Sequence, residues 1–347
     1  MNILYINHYA GGPAYGMEYR CHHLAREWVR AGHRVTLVGA SHSHVRSRQP
    51  VMNGRYTRET VDGVNVVWCD TPAYRGNGPG RLWNIGVFLW RVRQQRRWLD
   101  MKPDVVIASS TYPMDIWVAR TLARRAGARL VFEVHDLWPL SPIELSGMSA
   151  RHPFALLCQK AENDAYRDAD VVVSMLPKVA EHMRAHGLDL RKLHIVPNGI
   201  SPEDWAGEPA ALAAGIAAHV AAQKAAGRTV VVYAGSHGEP NALDVLLDAA
   251  AALRHEAFAF VLVGDGHEKA RLAQRVTAES LAQVRLFDPV PKAQIRSLLA
   301  LADIAYIGWK RQPLYRFGIS PNKLMDYMMA GVPVLHSVEA GNDPVAE

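Results

Sequence analysis

At 347 residues the chain is long enough for two domains, and with 49% apolar and 21% charged residues it is ordinary globular material, neither disordered nor fibrous. Its net charge of +6 is lopsided: residues 1–170 hold 22 Lys+Arg against 15 Asp+Glu, residues 171–347 hold 17 against 18, so the front of the chain is the part expected to meet an anionic partner. Three scattered cysteines, Cys21, Cys69 and Cys158, exclude a disulfide framework and a zinc ribbon, no run approaches the roughly 18 apolar residues of a membrane span, and Met1–Ile6 lacks the parts of a signal peptide, all of which points to a reducing cytoplasm.

Short apolar runs at 2–7, 34–39, 64–69, 104–109, 129–134, 170–174 and 193–196 read as strands. Helical stretches near 16–31, 80–100, 113–126, 153–168 and 177–186 separate most of them, and Gly32 suits a helix C-cap. Such alternation predicts a parallel sheet covered on both faces. Residues 201–228 are rich in Pro, Ala and Gly and predict a linker plus a helix. Strands then resume at 229–234, 258–263, 284–287, 303–308 and 333–337, with helices near 241–254, 267–281, 291–301 and 321–330. The expectation is an α/β protein of two doubly wound, Rossmann-like domains, residues 1–205 and 206–347, facing a cleft, with ligand loops at the carboxyl ends of the strands.

Within the first domain, 80–100 sets Trp83, Phe88, Trp90 and Trp98 among Arg81, Arg91, Arg93, Arg96 and Arg97. A basic helix with interfacial aromatics suits an anionic membrane surface; a core-packed helix with a solvated arginine face is the competing reading, and both stay open.

Four loops carry candidate chemistry. His8–Gly16 brings Gly11, Gly12 and Gly16 after the first strand, ahead of a helix start near Met17, and lets a ligand approach the backbone. His135 and Asp136 stand together after the strand at 129–134 as hydrogen-bonding or acid–base groups. Gly235-Ser236-His237-Gly238 opens a helix, so its backbone N–H groups can hold a phosphate, although the Lys-Ser/Thr ending of a P-loop is missing. In Gly318–Pro333, Ser320 suits an N-cap, Pro321 the first helical position and Gly331 the C-cap. This delimits a short helix that would offer its free N–H groups and Lys323 to an anion, while Asp326 one turn on would take sugar hydroxyls. Asp168 and Asp170 precede a strand and read as surface structure rather than a metal site.

These loops, with Val196-Pro197-Asn198-Gly199, resemble glycosyltransferase family 4, over the whole chain. Gly318–Pro333 with Glu339–Pro344 is most similar to the bacterial subgroup that transfers N-acetyl-fucosamine-type sugars in O-antigen or lipopolysaccharide assembly. The resemblance implies the GT-B fold, a retaining hexosyltransferase, an acceptor on the first domain and a UDP-sugar on the second, with no essential metal or cofactor. It places His135 near the donor sugar and the reacting carbon, and the reading of the loops adds Lys323 as the second candidate catalytic residue. The resemblance places Gly16 at the donor diphosphate, Pro289 and Val290 at the base and Asp326 at the ribose hydroxyls, and the reading of the loops adds Gly12, Asn198, Gly235, Ser236, His237, Ser320, Pro321 and Asn322 as candidate nucleotide-sugar residues. Gly318 stands where the family has the first acidic residue of a pair, and Ser236 and Asn241 stand where it has Arg and Lys, so Lys323, Lys310 and Arg316 are the candidate replacement cations. An end soon after a strand, where the family continues to a helix that crosses back, implies a truncated chain.

With a lipid-linked or lipopolysaccharide acceptor, Trp83, Trp90, Arg91, Arg93, Arg96 and Arg97 become the membrane and acceptor side of a cytoplasmic protein held peripherally at the inner membrane, with no nucleic-acid partner. The alternatives are a UDP-sugar 2-epimerase of the same layout, which needs carboxylate acid–base groups, and a non-catalytic nucleotide-sugar-binding scaffold.

Overall fold

The computed structural model describes residues 1–16, 19–76 and 78–346, so the expected helix start at Met17 lies outside the described residues. The chain divides into two compact units, Met1–Pro197 and Asn198–Glu347.

The strands of the first unit are β1 (Asn2–Ile6), β2 (Arg34–Ala40), β3 (Tyr56–Val61), β4 (Val64–Cys69), β5 (Val105–Ala108), β6 (Arg129–Val134), β7 (Val171–Ser174) and β8 (Leu193–Ile195). Between them run α1 (Tyr19–Arg30), α2 (Pro79–Arg93), α3 (Asp115–Ala126), α4 (Leu140–Ser146), α5 (Pro153–Asp168) and α6 (Ala180–Ala185). The sheet order is β3-β4-β2-β1-β5-β6-β7-β8. All pairs are parallel except β3 with β4. The inner strands are apolar on both faces, as a sheet with helices on each side demands; Val35, Leu37, Val64, Val66 and Trp68 pack with Cys21 and Ala25 of α1.

Three details depart from expectation, the first being the short α4, which falls between the expected helices near 113–126 and 153–168. β3 was not expected, because its YTRETV sequence is half polar, as a half-exposed edge strand requires. The turn Asp62-Gly63, with φ of 50° and 77°, folds it antiparallel onto β4, the mirror-image turn that hairpins prefer. The helix expected over 80–100 ends at Arg93 and gives way to a single turn at Gln95–Arg97. There the chain carries the Trp98 ring into the core, 1% exposed, and its indole N–H donates to the Arg91 carbonyl at 3.3 Å.

The second unit holds β9 (Thr229–Ala234), β10 (Phe258–Val263), β11 (Val284–Phe287), β12 (Ile304–Gly308) and β13 (Val334–Ser337), with α7 (Ala214–Ala225), α8 (Leu243–Ala252), α9 (Lys269–Ala278), α10 (Lys292–Leu299) and α11 (Asn322–Ala330). Its order is β11-β10-β9-β12-β13, all parallel. The two-residue period of β9 sends Val231 and Tyr233 toward Leu243, Leu246 and Leu247 of α8. Val230 and Val232 go to the other face, against Ile216 and Val220 of α7 and Leu298 of α10. Each such burial is worth about 1.5–3 kcal/mol. Residues 201–228 hold no strand, as expected. The sheet runs to β10 on one side of β9 and to β12 on the other, so the loops after β9 and β12 flank the switch point where open α/β sheets bind ligands.

Candidate functional site

At the carboxyl end of β9 the chain turns sharply at Gly235 (φ 153°) and meets the loop after β10. The two loops interlock closely enough to require glycine: a Cβ on Gly264 would lie 1.8 Å from the Gly235 carbonyl oxygen, and one on Gly266 2.5 Å from the His237 backbone. Gly235 N–H donates to Val263 O (3.0 Å) and His237 N–H to Asp265 O (2.8 Å). These two amides, expected to hold a phosphate, therefore serve the fold, whereas the N–H groups of Ser236 and Gly238 make no protein hydrogen bond among the described residues. The His237 ring is fully buried, has no hydrogen-bond partner at either nitrogen, and is pushed down to a pKa of about 4 by burial and then by the Lys269 charge. It is a neutral interior ring.

Lys323 arrives from the first turn of α11. Its ammonium donates to Asn241 Oδ1 (2.9 Å) and Tyr233 Oη (3.1 Å), and lies 4.5 Å over the Tyr233 ring. A Cβ on Gly235 would stand 3.3 Å from Nζ. Among the described residues no carboxylate pairs with Lys323, and burial pushes it down to a pKa of about 8. Asn241 offers a neutral carbonyl; a lysine at 241 would set two ammonium groups against each other. The other cations are occupied: Lys310 pairs with Glu239 at 2.7 Å, and Arg316 lies 4.3 Å over the Phe317 ring and donates to Pro313 O.

Ser320 is not the N-cap of α11. Pro321 holds that position, and Asn198 clamps Ser320 instead, its N–H donating to Oγ and its side-chain amide to the Ser320 carbonyl, both at 2.8 Å. The first-turn N–H groups of Asn322 and Lys323 carry no protein partner among the described residues, as helix starts leave them. Asn342 steadies the preceding turn by accepting from Ile319 N–H at 2.7 Å. Asp326 is buried and ion-paired with Lys292 of α10, and Gly331 closes the helix at φ 65°. Pro289 is exposed and Val290 packs against the α7 side of the sheet.

In the first unit, β1, β5 and β6 present one buried network. Glu133 accepts from Tyr5, from Ser109 Oγ (2.6 Å) and from Arg20 Nε (3.0 Å). His135 Nε2 lies 2.8 Å from Ser109 Oγ and 3.5 Å from Glu133 Oε2. Burial raises the Glu133 pKa, but the hydrogen bond and charge of His135, then Arg20 and Ser109, hold it well below the usual carboxylate range. Arg20 also donates to the carbonyls of Val196 (2.8 Å) and Pro197 (2.9 Å), tying that turn to the network. Tyr5, Arg20, Ser109 and Glu133 were not legible as a group, since Glu133 stands 128, 113 and 24 positions from Tyr5, Arg20 and Ser109. Asp136 is exposed. The Gly12–Gly16 loop closes on itself, Gly16 N–H donating to Gly12 O at 2.9 Å, and a Cβ on Gly16 would meet Ser47 Oγ at 2.4 Å.

On α2, Trp83 and Trp90 are 67% and 54% exposed. Arg91 is turned away from this surface: its side chain is 13% exposed, faces Asp70 at 3.8 Å and lies 5.2 Å from the Trp90 ring. Arg93, Arg96 and Arg97 line one recess with Arg125 of α3, and among the described residues none of the four pairs with a carboxylate. No described helix is long and apolar enough to cross a membrane.

Two families match in tandem: Glycosyl transferase 4-like domain over residues 15–199 and Glycosyl transferases group 1 over residues 228–346. The colanic acid biosynthesis glycosyl transferase WcaI of Escherichia coli (strain K12) is 25% identical over 331 residues, 90% of this chain and 78% of that protein. The glycosyltransferase WbjE of Pseudomonas aeruginosa is 25% identical over 255 residues, 73% of this chain and 62% of that protein. Among solved structures, HepE of Anabaena in complex with UDP is similar with a TM-score of 0.64 at 17% identity, covering 98% of this chain and 82% of that one. The paired parallel-sheet domains are those of the GT-B fold, and the chain belongs to the glycosyl transferase 4-like family.

Proposed function

We propose that this glycosyltransferase is a retaining enzyme that moves an N-acetylamino-deoxyhexose from a UDP-sugar to a lipid-linked or lipopolysaccharide precursor, without an essential metal or cofactor. The observation that carries the reading is Lys323: a half-buried ammonium with no carboxylate partner among the described residues, beside two amides at the start of α11, at the switch point of the second unit. An uncompensated cation there favours an anion that brings its own charge, as a nucleoside diphosphate does. HepE, solved with UDP and with UDP-glucose, supports the donor class, and WcaI, named for colanic acid biosynthesis, supports a polysaccharide precursor as acceptor.

In this reading Lys323 and the Asn322 and Lys323 N–H groups stabilise the charge that develops on the departing diphosphate, while Asp326 exchanges its ion pair with Lys292 for the ribose hydroxyls. Gly12, Gly16, Ser236, Pro289 and Val290 contribute backbone contacts to the donor. His135, held by Ser109 and Glu133, orients the sugar. The acceptor hydroxyl attacks the face the diphosphate leaves, and a departing phosphate oxygen takes its proton. Glu133, engaged by Tyr5, Ser109 and Arg20, fits an anchor for His135 better than the acid–base group an epimerase needs. The exposed Trp83 and Trp90 with Arg93, Arg96 and Arg97 hold the enzyme at the inner membrane face.

The test is transfer from UDP-, GDP- and TDP-sugars to lipid-diphosphate acceptors. UDP-sugars are expected to turn over, and Lys323→Ala to lower kcat by about 100-fold or more, the effect of removing one preorganised donor from a developing anion. Preference for another nucleotide, or full turnover by Lys323→Ala, overturns the reading.

A further inference from the structure

We propose that Glu162, His182 and His186 form a zinc-binding site in the first unit, apart from the transfer chemistry. Glu162 projects from α5, His182 from α6 and His186 from the cap of α6 one turn later, a spacing that brings the two imidazoles together, tilted, with centroids 4.6 Å apart. One ligand atom from each of the three falls within 4.8 Å of the others. Zinc bonds of about 2.0–2.2 Å would draw these atoms to roughly 3.4 Å in a tetrahedral site, a contraction within reach of side-chain rotation.

Two further features point to a cation. The Glu162 side chain is only 3% exposed and no Lys or Arg pairs with it among the described residues. It accepts from Tyr166 Oη (2.8 Å) and Gln159 Nε2 (2.7 Å), with His182 Nε2 at 3.4 Å. A buried carboxylate among such donors is short of positive charge. Gln159 is also over-subscribed. Its amide nitrogen, which has two hydrogens, lies within reach of Glu162 Oε2, Asn163 Oδ1 (2.8 Å) and His186 Nδ1 (2.9 Å). Glu162 and His186 thus already converge on a common donor, as ligands converge on an ion. Two imidazoles and one carboxylate suit zinc rather than magnesium or calcium, which take oxygen ligands. Water takes the fourth position, and Tyr166 remains as the outer hydrogen bond that orients the carboxylate.

The ion would tie α6 to α5. Glu162 and Tyr166 also line a small cavity that Glu133, Val134 and Asp136 share, so the tie braces the segment from which His135 projects.

The experiment titrates zinc chloride into the full chain, with calorimetry and thermal melts as readouts and cobalt as a spectroscopic stand-in. Expected are one zinc per chain, a higher Tm that EDTA reverses, and the visible absorption of tetrahedral cobalt. Half-buried His186→Ala and buried Glu162→Gln should each weaken zinc by more than the roughly 10–100-fold typical of outer-shell changes. Gln159→Ala, which removes only the competing amide, should retain binding. Absence of a one-equivalent zinc isotherm, or equal zinc affinity in His186→Ala, overturns the proposal. Because the readout is zinc binding rather than turnover, the result is independent of donor turnover.

Discussion

Lys323 holds a charge where the fold disfavours one. Its pKa, ordinarily 10.5, is pushed down to about 8 by burial, so the folded state releases that proton more readily than the unfolded state. The contribution to stability is therefore unfavourable below about pH 8 and relaxes as pH climbs toward 10.5, where the unfolded chain binds more protons. Lys323→Met should raise Tm by a few degrees at pH 7, read by calorimetry, while it impairs donor binding, the usual opposition of stability and function. An anion on the ammonium favours its charged form. UDP affinity of the native chain should accordingly decline as pH rises through about 8, and Lys323→Arg, charged throughout, should bind with a flat profile. A native affinity indifferent to pH between 7 and 9.5 would count against the contact. Asp326→Asn is expected to weaken UDP by about 1.5–3 kcal/mol, the worth of a hydrogen bond to a charged group, with unchanged affinity as the contrary outcome. Little of this was readable in sequence beyond the residue types. Lys323, Asn241 and Tyr233 are 82 and 90 positions apart and meet only because α11 follows β12, which pairs beside β9.

Among the elements, glycine positions separate strain from collision. Gly331 sits at φ 65° with open space around its Cβ direction, so Gly331→Ala meets only left-handed strain of about 1–2 kcal/mol. Gly264 has φ 155° and a Cβ that would strike the Gly235 carbonyl, so Gly264→Ala should destabilise by at least about 3 kcal/mol and dislodge the loop that carries Ser236. Urea denaturation of the two variants checks the ranking; equal losses would contradict the interlock. The inner strands were legible because continuous apolar runs have few other uses. β3 was not, since an edge strand keeps polar residues and only Asp62-Gly63 marked its hairpin. The early end of α2 was hidden too, because a helical pattern through Trp98 does not reveal that tertiary burial pulls the ring off the helix. Ser320 misled for a related reason: a side chain that suits capping found a stronger partner in Asn198.

For the molecule as a whole, part of the charge asymmetry of the sequence gathers in one recess lined by Arg93, Arg96, Arg97 and Arg125, and the helix that leads to it exposes Trp83 and Trp90. Near an anionic surface each basic residue contributes about 1 kcal/mol, so replacing Arg93, Arg96 and Arg97 by Gln should lower liposome affinity by roughly 3 kcal/mol, about two orders of magnitude. Native binding should weaken with salt. Failure of the native chain to sediment with anionic liposomes would remove the membrane assignment and leave the transferase untouched.

The central claim is that the second unit grips the diphosphate of its donor through Lys323 and the start of α11. It is met most directly by calorimetric titration of UDP and of uridine into the native chain and into Lys323→Ala. The native protein should prefer UDP strongly, and the variant should lose most of that preference while binding uridine as before. Equal UDP affinity in both proteins would contradict the account.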